Sequence, residues 1–146
     1  MDVNIRAMTQ EDKQAVMEMM ETFYRSPAVS TNGSQEIFAQ DIENCVNDSP
    51  YLEGFIFEGG NEILGYGMIA KSFSTEFGKP CVWIEDLYIK PPYRGKGIGS
   101  SFFACLNEKF TNCIFRLEVE PENTRAIGAY EKNGFTTLPY MEMKKE

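Results

Sequence analysis

Hydrophobic positions recur along the chain with two periods, and each change of period marks a new element. "VNIRAM", Val3 to Met8, alternates polar and apolar side chains and predicts a first strand. Thr9 then offers a helix N-cap with Asp12 three positions on, a variant of the capping box, and Val16, Met19, Met20 and Phe23 recur at helical spacing to about Tyr24. "SPAVSTNGS" is loop chemistry, after which Ser34 caps a second helix whose Phe38, Ile42, Cys45 and Val46 share a face. "YLEGFIFEGGNEILGYGMIAKSF" holds two strand-like runs around Gly59, Gly60 and Asn61, residues that accept the positive φ angles of a tight hairpin.

"CVWIEDLYIK" is apolar on both alternating faces apart from Glu85 and Asp86, so it predicts a central strand, ended by Pro91 and Pro92. Two buried carboxyls there require a reason. From Gly97 a helix is predicted to about Phe110, with Ile98, Phe102, Phe103, Leu106 and Phe110 toward the core, and "IFRLEVE" alternates as the next strand. A strand, helix, strand unit implies a parallel pair. Asn123 caps the last helix, Gly134 is placed to end it in the left-handed conformation, and "YMEMK" reads as a short closing strand. No repeat, linker or low-complexity run interrupts the pattern, so residues 1–146 are expected to form one domain with a real core.

Composition narrows the partners. A net charge of -8 opposes binding to a phosphate backbone, which rests on lysine and arginine displacing counterions, and favours cationic small molecules over nucleic acid. Surface acidity also serves solubility alone. No apolar run has the length of a membrane span, and the N-terminus lacks the basic start and unbroken apolar stretch of a secretory signal. Cys45, Cys81, Cys105 and Cys113 form no CxxC pair and the chain has no histidine, which argues against a metal site and for reduced, mostly buried thiols in a cytoplasmic protein.

The chemistry concentrates in "YIKPPYRGKGIGSSFF", Tyr88 to Phe103. Gly95, Gly97 and Gly99 lack side chains, so several backbone N–H groups can converge on one concave point at a helix N-terminus. The helix dipole adds partial positive charge there, and Arg94 and Lys96 add full charges, so a polyphosphate is the natural ligand. A dinucleotide fingerprint would want a third glycine where Ser100 stands, although Glu118 and Glu120 lie where an acid could hold a ribose.

Two spaced motifs in Trp83 to Phe135 resemble the GNAT superfamily of acyl-coenzyme-A-dependent N-acetyltransferases. Tyr93-Arg94-Gly95-Lys96-Gly97-Ile98-Gly99 is similar to its pyrophosphate loop, R-x-x-G-x-G/A. Asn123 to Tyr130, followed by Asn133-Gly134-Phe135, is similar to its N-x-x-A-x-x-x-Y-x-x-x-G-F pattern. The resemblance implies an α/β (α+β by some schemes) GNAT fold: a mixed, mostly antiparallel sheet of six to seven strands with a splayed parallel central pair, flanked by about four helices. It further implies that the backbone from Arg94 through Gly95, Lys96, Gly97, Ile98 and Gly99 to Ser100 holds the pyrophosphate of acetyl-CoA, the co-substrate. Leu87, Tyr88 and Ile89 would pair with the pantetheine arm like a missing strand. Asn123 is either a cofactor contact or simply a helix cap.

The implied reaction is transfer of an acetyl group to a primary amine by direct attack in a ternary complex. An alkylamine of pKa about 10.4 is mostly protonated at pH 7, so exposing its lone pair costs roughly 4 to 5 kcal/mol. Glu85 alternates onto the face of Trp83, Leu87 and Ile89, whose apolar character would raise its pKa toward that of a useful base; hydrogen bonding to a neighbouring strand explains it equally well. Tyr130 is implied as the acid that protonates the departing thiolate, although packing alone also accounts for a tyrosine on that helix face. Glu36, Asp41, Glu43 and Glu76 lie in segments where this fold builds its acceptor pocket. The acceptor, a small-molecule or peptide amine, is open, as is a homodimer. The alternative function is a non-catalytic coenzyme-A-binding sensor or interaction module.

Overall fold

The computed structural model describes residues 2–146. Strand β1 (Asn4–Ala7) leads through Thr9 into a short 3-10 turn and helix α1 (Lys13–Tyr24). That corner is set by Asp12, which accepts the Thr9 backbone N–H at 2.7 Å and the Arg6 guanidinium through two bonds of 2.8 Å. The expected capping arrangement is therefore built, with an ion pair added from the strand. Ser34 Oγ accepts the Ile37 N–H and starts helix α2 (Gln35–Val46).

Strands β2 (Leu52–Gly59) and β3 (Glu62–Ser74) are joined by Gly60 and Asn61, with φ angles of 58° and 64°. Both central residues are left-handed, as a two-residue hairpin matching the strand twist requires. Strand β4 (Lys79–Ile89) follows, then helix α3 (Ile98–Lys109), strand β5 (Ile114–Leu117) and helix α4 (Thr124–Lys132). The sheet order is β1-β2-β3-β4-β5; the first three neighbouring pairs are antiparallel and β4 with β5 is parallel. Mixed, mostly antiparallel topology with four helices and a parallel pair is the expected arrangement.

Helices cover both faces. Val16, Met19 and Met20 of α1 and Phe38 and Ile42 of α2 pack on one face, against Ile56, Tyr66, Met68 and Tyr88. On the other, Ile98, Phe102, Phe103 and Leu106 of α3 pack against Phe55, Phe57, Leu64, Ile69, Val82 and Ile84. Each face thus buries the apolar stripe that periodicity marks out on its helices. All four cysteines are free, but only Cys81 is fully buried. Among the described residues no helix is long and apolar enough to cross a membrane.

Two expectations are corrected. The sheet has five strands among the described residues, fewer than the six to seven expected, because "YMEMK" is not a strand and nothing regular follows α4. Leu138, Tyr140, Met141 and Met143 are all exposed, so that tail buries no face to fix a register. The strand expected over "IFRLEVE" also ends early, at Leu117. Its four residues are all half-buried, because the tail adds no ladder to its outer edge.

Candidate active site

The site begins where the sheet opens. β4 and β5 pair from Cys81 with Ile114 to Ile84 with Leu117 and no further, while β4 continues to Ile89. From Glu85 to Ile89 that edge of β4 therefore has no neighbouring strand among the described residues, which leaves a gap in the sheet between the end of β4 and the chain past Leu117. A ligand rich in amides can pair with that edge as a strand would.

At this opening β4 carries a bulge. Met68 pairs with Asp86 and Ile69 with Ile84, leaving Glu85 without a partner on β3. The extra residue reverses the strand's phase: Val82 and Ile84 pack toward α3 before it, and Leu87 and Ile89 do so after it. Glu85 consequently does not share a face with Leu87 and Ile89, as simple alternation predicted. Asp86 and Tyr88 face α1 and α2, where the Tyr24 and Tyr66 hydroxyls donate to Asp86 at 2.9 and 2.7 Å. The two carboxyls expected to be buried together differ: Asp86 is 4% exposed, whereas Glu85 reaches solvent.

This face is strongly acidic. Burial, then the charges of Asp86 and Glu85, push the α2 carboxyl Asp41 up to about 6. Glu85 is raised by desolvation and by Asp86 and Glu142. Glu118, just past β5, is raised to about 7 by its contact with Glu142 of the C-terminal tail, by burial and by Glu85. Of the four acids assigned to acceptor segments, only Asp41 turns inward; Glu36, Glu43 and Glu76 are exposed, and Glu76 accepts the Tyr140 hydroxyl. Sequence reading missed Tyr24 and Tyr66 as partners of Asp86. The helical period marks Tyr24 only as the end of α1, and the hydrophobic run of β3 marks Tyr66 only as core.

At the far end of β4 lies the glycine loop. Arg94 Nε donates to the Ile89 carbonyl at 2.7 Å, with its guanidinium 5.5 Å from the Tyr88 ring centre, so this cation is tied to the strand's end. Gly95 and Gly97 have φ of 75° and 84°, and Gly97 is the left-handed N-cap of α3. A Cβ built on Gly97 meets nothing within 4 Å, which leaves the approach to this backbone open. Lys96 and Ser100 are exposed, while Ile98 is buried and pins the first turn to the core. The N–H groups of that turn have no helical acceptor, so residues here fit a pyrophosphate in space and in polarity.

Helix α4 borders the same loop. Asn123 Oδ1 accepts the Ala126 N–H at 3.3 Å, so its capping role is realised. Asn133 Nδ2 donates to Ser100 Oγ at 3.2 Å and to the Ala129 carbonyl at 2.9 Å, fastening the end of α4 to the first turn of α3. The Tyr130 ring lies among Phe103 and Phe135, with centroids 6.1 and 6.0 Å away, and burial raises its pKa. Gly134, at φ 93°, ends α4 as expected.

Residues 14–135 match the model of the Acetyltransferase (GNAT) family. The thialysine N-epsilon-acetyltransferase of Sus scrofa is 36% identical over 86 residues, 57% of this chain and 50% of that protein. The chain thus spans about half the length of the curated relatives it matches at that level. The spermine/spermidine N(1)-acetyltransferase of Bacillus subtilis (strain 168) is 23% identical over 141 residues, covering 92% of this chain and 88% of that one. Among solved structures, AAC(6')-Iy in complex with a bisubstrate analog superposes with a TM-score of 0.83 at 16% identity, covering 100% of this chain and 99% of that chain. A possible acetyltransferase from Clostridium difficile 630 superposes at 0.82 with 19% identity, covering 99% and 97%. Both solved structures share the fold described above.

Proposed function

Since the chain belongs to the acetyltransferase (GNAT) family, we propose that it transfers an acetyl group from acetyl-CoA to a primary amine of a cationic small molecule, by direct attack of that amine. The observation that carries this reading is the gap past Ile84 and Leu117, which has an open amide cradle at one end and carboxylates at the bulge. Relatives named for thialysine and for spermine and spermidine support a cationic acceptor.

The chain's own groups divide the work. Backbone amides from Gly95 to Ser100 hold the pyrophosphate, and the free edge at Leu87, Tyr88 and Ile89 aligns the pantetheine arm. Bound acetyl-CoA supplies the activated acyl group as a thioester. Glu85 and Asp41 attract the ammonium form of the acceptor and take up its proton, because their raised pKa values bring them closer to neutrality than ordinary carboxylates. Burial keeps the Tyr130 hydroxyl protonated, so it is available to donate to the departing sulfur. Orientation contributes most: aligned reactants reach effective molarities of about 10⁵ to 10⁸ M, against a factor of about 10² to 10⁴ for acid-base assistance.

The test is thiol release. Purified chain incubated with acetyl-CoA and an amine panel (polyamine, thialysine, aminoglycoside, lysine peptide) is expected to liberate coenzyme A with at least one cationic amine. Saturable acetyl-CoA affinity without thiol from any amine would assign the chain to the binding-module class instead.

A further inference from the structure

Helix α4 is fastened at its C-terminal end. No residue of Thr124–Lys132 is fully buried, and the side-chain ties to α3 gather late in the helix and just past it: Tyr130 and Phe135 pack with Phe103, and Asn133 Nδ2 donates to Ser100 Oγ. The Asn123 cap bonds only within its own turn, so it starts the helix without fixing where that start lies. A helix in a protein is held chiefly by the face it packs, and the first half of α4 has little of one.

That half meets the glycine loop through a charge. A Cβ placed on Gly95 would lie 3.7 Å from Arg125 Nη2, and beyond the adjacent residues no other atom would come within 4 Å. The guanidinium therefore lies against the loop two positions before the N-cap Gly97. Arg125 is exposed and forms no ion pair among the described residues, although Glu122 stands three positions before it. No acid occurs in the sequence between Asp86 and Glu108, whereas Lys90, Arg94 and Lys96 do, so this corner is cationic in a chain of net charge -8. Like charges gathered without a carboxylate repel one another, and an anion relieves the repulsion.

We propose that Arg125 closes the glycine cradle on the phosphates of acetyl-CoA, and that this contact seats the first half of α4 against the loop. The proposal rests on the reading that the loop holds the cofactor. Backbone amides in the first turn of α3 offer dipoles but no net charge. A guanidinium adds a full charge, and its planar fork matches two phosphate oxygens at once. Tyr130 stands on the same helix five positions on, so whatever holds Arg125 also fixes the placement of the helix that carries the candidate acid. Cofactor binding and the placing of Tyr130 thereby become one event, because phosphate binds best to the arrangement in which α4 is seated.

The test is calorimetry with coenzyme A itself, which needs no turnover, on wild type and Arg125→Gln. The substitution removes a charge from an exposed side chain, so the free variant should fold and melt as wild type does. Its affinity for coenzyme A is expected to fall by about 10- to 100-fold, the range for a lost hydrogen bond between charged groups. Dephospho-CoA identifies the phosphate: equal losses for both ligands place Arg125 on the pyrophosphate, a loss confined to coenzyme A places it on the 3′-phosphate, and either supports the proposal. No loss with either ligand overturns it. Amide hydrogen exchange reads the seating, since saturating coenzyme A should slow exchange at Ile127 and Gly128 in wild type and much less in the variant. Equal protection in both would overturn the seating of α4. If wild type binds no coenzyme A, the cofactor reading falls together with this one, whereas binding in wild type and an unaltered variant removes Arg125 alone.

Discussion

Ile84 and Leu117 are the last partners of the parallel pair, and the next residue on β4, Glu85, has no partner at all. Loss of pairing on one side coincides with a bulge on the other. The coincidence is physical: a bulge bends and twists its strand, and a strand bent at that point leaves the straight course of a parallel neighbour. One extra residue therefore both opens the gap and reverses the faces of the side chains that line it.

If the glycine loop cradles the pyrophosphate, Gly97→Val should reduce acetyl-CoA affinity by more than tenfold in calorimetry. A β-branched side chain at φ 84° is strained and would occupy the space now open above the backbone. Melting temperature measured alongside separates this from unfolding: a folded variant with unchanged affinity would remove the cradle from this corner.

Tyr130→Phe keeps the ring among Phe103 and Phe135, so stability and acetyl-CoA affinity should not change. Turnover should fall by about 10- to 100-fold, a loss limited by the tolerable departure of a thiolate whose conjugate acid has pKa about 8.5. Undiminished transfer would show that the hydroxyl donates nothing.

Asp41 predicts a stability profile. Its folded-state pKa, about 6, lies above that of the unfolded chain, so the folded state binds the proton more tightly. Its ionisation therefore costs stability as pH rises from about 4 through 6, and the cost is complete above that. Asp41→Asn should raise stability by about 1 to 2 kcal/mol at pH 8 and change it little at pH 4, while weakening use of cationic acceptors. Denaturant melts at the two pH values check the sign; equal effects would place the cause outside titration.

Asp12 behaves in the opposite way. Its hydrogen bonds with Arg6, opposed in part by burial, hold its carboxyl below the ordinary range. The stability it contributes is present above pH about 4 and is lost as pH falls toward the folded-state pKa. Arg6→Ala should cost about 1 to 3 kcal/mol at pH 7 and less near pH 3, measured by denaturant unfolding. A loss independent of pH would assign Arg6 to packing alone.

Local chemistry was legible wherever its cause lies within a few residues. The Thr9–Asp12 corner, the Ser34 and Asn123 caps, the Gly60-Asn61 turn, the left-handed Gly134 and the apolar faces of α1, α2 and α3 follow from spacing and residue type. The expected closing strand at "YMEMK" failed for the opposite reason: alternation alone cannot make a strand where the tail leaves its apolar side chains exposed.

The face of Glu85 was not legible, because a bulge is defined by the register of two strands and strict alternation presumes there is none. The enclosure of Asp86 was equally hidden, since Tyr24 and Tyr66 stand 62 and 20 residues away from it.

By itself, then, the order of amino acids determined the helices, strands β1 to β4, the family motifs and the open glycine backbone, since these depend on spacing and on the torsional freedom of single residues. Only the tertiary structure decided which carboxyl is sequestered, which remains free to titrate and where the sheet parts. Those outcomes depend on distances and desolvation between segments far apart in the chain, and no local pattern encodes them.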